Sequence, residues 1–284
     1  MGGVILVGRW TPSEMAATTQ QLHAAGCAIG RPLLLLVDQE GGSTRRLPWA
    51  APAQDAGTLG RTSLAHTRSE ATATAAALRA VGIDVDLAPV ADTLGPGGFL
   101  GKRSFGTDPA KVGNHVVAFI SALQAGRIAA TAKHFPGLGA AKLNTDDHAV
   151  SLTATELSPF RRAIGAGVKL VMVSNASYPA LDSAGTPSAF SRPIVTDLLR
   201  GQFGFNGVVV TDALDAPTPA HTPHAPARAL AAGVDLLLYT SGAAAHRGYV
   251  QLAADARASS AVRANVARAV ASIRALKRWL GRGC

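Results

Sequence analysis

Gly207-Val208-Val209-Val210-Thr211-Asp212 decides the fold: four β-branched residues in an unbroken row, closed by an acid. An uninterrupted run of this kind is the pattern of a strand covered on both faces, as in a parallel sheet. The acid then stands just beyond the strand's carboxyl end. Six further β-rich runs recur at Gly3–Gly8, Leu33–Asp38, Ile83–Ala88, Ile128–Lys133, Lys169–Ser174 and Val234–Tyr239. Between them lie segments of helical character. Ser13–Cys27 is read with Ser13 as its N-cap, and Asp108–Ala125 carries Pro109 where a first turn tolerates it. Thr155–Ala166 and Ser191–Gly201 read similarly.

Alternating strands and helices over 284 residues indicate an α/β fold in one domain, residues 1–284. The expected architecture is a (β/α)8-type (TIM-like) barrel. Polar residues stand at the carboxyl ends of strands spread along the whole chain, as on a barrel's active rim. A doubly wound open sheet is the structural alternative. Seven runs are one short of eight, so the first strand and helix are expected to be missing, about 30–40 residues' worth.

Composition narrows the function classes. Hydrophobic residues make up 48% and charged residues 16%, which demands a large core and argues against disorder. The net charge of +9 comes from 21 Arg and 6 Lys set against 18 acids, scattered except between Arg263 and Arg282. With aromatic residues at 5%, stacking platforms for nucleic acid are not expected. An acidic polymer such as cell-wall material could still feel the field. Cys27 and Cys284, at opposite ends of the chain, read as neither a disulfide framework nor a metal motif. Runs such as Leu33–Val37 fall far below the roughly 18 residues of a membrane helix. No basic-then-apolar leader precedes Gly3, so the chain as given reads as cytoplasmic, with export expected if its start lies upstream. Asp215, His221 and His224 read as loop residues rather than metal ligands, and Gly95-Pro96-Gly97-Gly98 as a weak nucleotide signal. No cofactor is expected.

The residues following the strands carry the chemistry. They are Asp38-Gln39-Glu40-Gly41-Gly42, Lys133-His134-Phe135-Pro136-Gly137 and Thr211-Asp212, with Arg103 on the Gly-rich loop Gly101–Gly106. A carboxylate ending a buried strand is desolvated unless cations or hydroxyls pair with it. Carboxylates, a Lys, a His and an Arg around one hollow suit polyol recognition. Glycosidic cleavage also needs a carboxylate nucleophile and a proton donor. From position alone Asp212 is equally a helix N-cap, Asp38 with Gly41-Gly42 a turn, and Lys133 and His134 a surface pair.

These motifs, with Ala88-Pro89-Val90-Ala91-Asp92, Arg103-Ser104-Phe105 and Gly204-Phe205-Asn206-Gly207, resemble glycoside hydrolase family 3. The similarity is greatest to its single-domain bacterial β-N-acetylhexosaminidases, in order from about Gly3 to Arg278. The resemblance implies that Asp212 is the nucleophile of a retaining exo-glycosidase, forming a covalent glycosyl-aspartate. It implies that Asp38, Arg46, Arg103, Lys133 and His134 hold the sugar. The substrate implied is a terminal β-linked N-acetylglucosamine, on an oligosaccharide or cell-wall fragment. Members of this branch take the acid/base from a loop, as a His backed by an Asp two residues earlier. Asp146-Asp147-His148 presents that spacing, so His148 with Asp146 is the expected donor. Leu138 stands where the family usually has His, and six residues separate Gly139 from Asp146, two more than the branch expects. Asp146 or Asp147 as the acid, or a loop with none, therefore stay open. The rival readings are a catalytically silent sugar-binding protein and a β-glucosidase or phosphorylase of the same family.

Overall fold

In the computed structural model, which describes residues 2–153 and 155–284, the apolar runs become strands. They are β1 (Gly3–Ile5), β2 (Leu34–Val37), β5 (Val85–Asp86), β6 (Ala129–Phe135), β7 (Leu170–Val173) and β8 (Val208–Thr211). Between β2 and β5 a small antiparallel hairpin is formed by β3 (Gln39–Gly41) and β4 (Thr44–Arg45). The six long-range strands pair in parallel in the order β1-β2-β5-β6-β7-β8. The result is a curled parallel sheet of the half-barrel kind.

Side-chain alternation divides each strand between two cores. Leu35, Val37, Val171, Val173 and Val209 face the helices of the outer layer. Leu34, Leu36, Leu170, Met172, Val208 and Val210 face inward, into a second cluster. Both faces are dry, which is why these strands read as continuous apolar runs.

The seventh run, Val234–Tyr239, does not form a regular strand; its ladder is a single parallel bridge, Val210 with Leu236. The cause is Asp235, buried at 4% exposure. Its carboxylate takes the Val209 N–H at 3.0 Å, where a backbone carbonyl would otherwise stand. Arg200 (2.5 Å) and Arg268 (2.8 Å) neutralise it. In the same way Thr211 Oγ1, in place of a backbone carbonyl, accepts the Leu238 N–H at 2.9 Å. Gly2 runs close beside this segment; a Cβ there would lie 3.0 Å from Leu236 Cδ1 and 3.4 Å from Ile273 Cδ1.

The first helix, α1 (Pro12–Ala28), is capped by Thr11 rather than Ser13. Thr11 and Glu14 make a reciprocal capping box, and the Thr11 hydroxyl faces the Glu14 N–H at 3.3 Å. Pro109–Ala125 starts where expected, with Asp108 accepting from Ala110 and Lys111. Ser158–Gly165 is shorter than its sequence signal, and Pro193–Gln202 winds with wide π-type turns. No described helix is long and apolar enough to cross a membrane.

The C-terminal helix, Ser260–Leu280, floors the curled sheet. Ile273 and Leu276 join the inner cluster, and Trp279 and Leu280 pack against it. Lys169 lies over the Trp279 ring at 4.9 Å, and Arg127 donates to the Trp279 carbonyl at 2.9 Å. Just beyond it, Arg282 pairs with the buried Asp84. This path returns the chain's end beneath α1, where Cys27 and Cys284 form a disulfide with Cα atoms 5.3 Å apart. The reading of unlinked cysteines is therefore corrected: 257 residues of separation hid a contact that only the helix's return creates. A long-loop cross-link typically contributes about 2–4 kcal/mol. Cys284→Ser is expected to lower the melting temperature by several degrees, and reductant is expected to bring the wild type down to match it. Coincident melting curves for oxidised and reduced protein would remove the bond from the stability account.

Candidate active site

At the carboxyl ends of the strands lies a cavity of about 210 Å3. Its wall includes Asp38, Arg46, Arg103, Lys133, His134, Asp146 and Asp212. Seven of the eight residues expected from the sequence thus meet in one place. His148 does not: it is exposed and absent from the wall.

The cavity is built around a buried charge cluster. Lys133, its side chain 3% exposed, reaches Asp38 at 2.9 Å and Glu40 at 2.6 Å. Arg103 grips Glu40 with two parallel bonds of 2.8 Å. Arg46 reaches the other Asp38 oxygen at 3.3 Å. Burial alone would push the Glu40 carboxyl up, but Lys133 and Arg103 outweigh it and hold it at about 2. Burial likewise disfavours the Lys133 ammonium, yet Asp38 and Glu40 hold its pKa above the ordinary lysine value. The Arg103 pKa is also raised, Glu40 overcoming the cost of burial.

Glu40 was not among the expected site residues. Gln39–Gly41 is extended, so Asp38 and Glu40, two apart, point to one side, while Gln39 turns to the Leu47 and Ala51 carbonyls. Gly41 permits this hairpin: its φ is 104°, and a Cβ would lie 2.2 Å from the Gln54 carbonyl oxygen. Asp92 is a second unforeseen member. It accepts the His134 and Leu138 N–H groups at 3.0 and 2.6 Å, and stands 2.8 Å from His134 Nδ1. A carboxylate there makes Nδ1 the donor, which leaves Nε2 to face a ligand. Asp86, fully buried, accepts the Gln39 N–H at 2.9 Å, and its other oxygen has no partner among the described residues. Burial pushes it up to about 8, against the Gln39 hydrogen bond and the charge of Lys133.

Asp212 is half-buried. One oxygen accepts the Ala213 N–H at 2.9 Å; among the described residues the other takes no hydrogen bond. Opposite stands the loop after β6. It is anchored by Gly139, where a Cβ would lie 1.9 Å from the Thr93 carbonyl oxygen. The loop brings Asn144, Thr145 and Asp146 onto the cavity wall. Although Asp146 is exposed as a residue, desolvation of its carboxyl and the nearby charge of Asp212 raise its pKa. No hydrogen bond or ion pair joins Asp146 to His148 among the described residues. Two acids facing one hollow, one with a raised pKa, beside a cationic and carboxylate clamp, can bind a polyol and exchange a proton with it.

The chain as a whole resembles known proteins. Residues 1–276 match the model of the glycosyl hydrolase family 3 N-terminal domain. A β-hexosaminidase of Xanthomonas campestris is 37% identical over 230 residues, covering 75% of this chain and 68% of that protein. Another from Stenotrophomonas maltophilia is 37% identical over 261 residues, covering 84% and 76%. The crystal structure of a β-N-acetylhexosaminidase from Beutenbergia cavernae superposes with a TM-score of 0.90 at 36% identity, covering 98% of this chain and 89% of that one. The chain belongs to glycosyl hydrolase family 3 and is a glycosidase related to the bacterial β-hexosaminidases.

Proposed function

We propose that the protein is a retaining exo-β-N-acetylhexosaminidase in which Asp212 is the nucleophile and Asp146 the acid/base. The observation that carries this reading is the pairing in one cavity of Asp212, with an oxygen that takes no hydrogen bond among the described residues, and Asp146, whose pKa burial and the Asp212 charge raise. In the first step the Asp212 carboxylate forms a bond to C1 as the C1–O bond to the leaving group breaks. The Asp146 carboxyl gives its proton to the departing oxygen. In the second step the Asp146 carboxylate takes a proton from water, whose oxygen displaces Asp212 from C1. Lys133, Arg103, Arg46, Asp38 and His134 hold the ring hydroxyls. Support for the N-acetylated sugar comes from the relatives' activity. The Cys27–Cys284 bond favours work in an oxidising compartment over the cytoplasmic setting read from the sequence.

The test of the function is a panel of nitrophenyl glycosides. Release from the N-acetylglucosaminide well above the glucoside is expected, with retained anomeric configuration by NMR; no release from any would refute it. The test of the acid/base compares leaving groups. Asp146→Asn is expected to slow methyl N-acetylglucosaminide by about 10²-fold or more while sparing the formation of intermediate from a dinitrophenyl glycoside. His148→Ala is expected to change neither by more than a few-fold. The opposite pattern would return the role to His148.

A further inference from the structure

We infer that Trp49, with Val7 beside it, forms the platform on which the leaving sugar of the substrate stacks; this rests on the glycosidase reading above. The cavity, at about 210 Å3, is small next to the ~300–1,000 Å3 of drug-sized sites, so it takes one ring and the next unit of the chain must lie on its lip. That lip carries exposed carbon surface. Val7 lines the cavity and is 44% exposed; Trp49 is not itself on the cavity wall but follows the lining Arg46 by three residues and is 40% exposed.

Two indole hydrogen bonds tie Trp49, through Trp10, to the cavity-lining Val7 as a ladder. The Trp10 indole N–H donates to the Val7 carbonyl at 2.9 Å, and the Trp49 indole N–H donates to the Trp10 carbonyl at 3.0 Å. The Trp10 backbone N–H in turn donates to the carbonyl of Arg46, which grips Asp38. An indole has one polar atom. With it committed to backbone, what Trp49 offers outward is apolar ring, fixed in orientation and suited to the C–H face of a pyranose. Trp10 itself is half-buried and packed on the core, which makes it the support and Trp49 the contact.

The experiment compares aglycones. Trp49→Ala is expected to lower kcat/KM for a β-1,4-linked N-acetylglucosamine disaccharide roughly tenfold while moving the methyl glycoside by less than about twofold. Trp49→Phe is expected to restore most of the loss. Equal loss on both substrates, or none on either, would overturn the platform. A second measurement separates this inference from the function itself. In an Asp212→Asn background, the disaccharide is expected to shift tryptophan emission, and the shift is expected to vanish when Trp49→Ala is added. Emission unmoved by the disaccharide would overturn the platform. A wild type that cleaves no glycoside, yet whose emission still shifts through Trp49, would sink the glycosidase reading and leave the platform standing.

Discussion

Asp212→Ala is expected to reduce turnover on the order of 10⁴-fold or more, the scale on which deletion of an attacking group is felt elsewhere. The substitution removes the nucleophile and leaves its surroundings in place. Among the described residues the Asp212 side chain bonds only the adjacent Ala213 N–H, and the Lys133–Glu40–Arg103 cluster does not depend on it. Melting temperature and sugar affinity are therefore expected to change little. The vacated space also gives a positive signature. Added azide is expected to restore part of the rate, and because it attacks C1 directly, the product is the α-glycosyl azide instead of the β-configured sugar. In the wild type a 2-fluoro sugar is expected to add its mass to the peptide containing Asp212. Label on another carboxylate, or a variant that keeps its turnover, would refute the assignment.

Lys133→Met is expected to be the most destabilising change in the site, costing about 3–5 kcal/mol near neutral pH. The lysine is the shared partner of Asp38 and Glu40, and it also draws down the neighbouring Asp86. Without it Asp38 and Glu40 lose the cation they share and keep only Arg46 and Arg103. The pH dependence follows from the signs. In the wild type the Glu40 carboxyl is held at about 2, so its stabilising pairing is fully present above its ordinary range near 4.5 and is lost as pH falls toward 2. In the variant the lowering by Lys133 is gone, so burial shifts the Glu40 carboxyl upward against Arg103 alone, and the charged form is less favoured as pH rises. The gap between wild type and variant is expected to be narrower at pH 4 than at pH 8, measured by urea unfolding. A gap independent of pH would mean that lost packing, rather than unpaired charge, sets the cost.

The chain declared its strands by unbroken apolar runs, and six of seven formed as strands because both their faces are dry. Val234–Tyr239 failed the pattern at a single residue. Asp235 supplies a side-chain oxygen where a ladder carbonyl would stand, and such a substitution needs Arg200 and Arg268 from distant segments. The candidate site was legible wherever a polar residue directly followed a strand: Asp38, Lys133, His134 and Asp212. Glu40 was hidden because a Gly-Gly pair invites a turn, whereas the extended backbone at Gln39 carries the acid inward. The Thr11–Glu14 capping box was there to be read and was passed over for Ser13. His148 had the spacing of a donor, but spacing cannot say which residue of a loop turns toward the hollow. The Cys27–Cys284 pair was beyond sequence reading altogether, since it depends on where a long helix ends in space.

The floor of the sheet has a consequence for how the protein is made. Ile273, Leu276 and Trp279 emerge from the ribosome after every strand they seal. At roughly 5–20 residues per second, the inner face of β8 waits roughly 3–12 s and that of β2 roughly 12–47 s, wet and sticky, for their lid from below. Nascent chains halted before residue 273 are expected to hold secondary structure around an unsealed interior, and to be the species that chaperones meet.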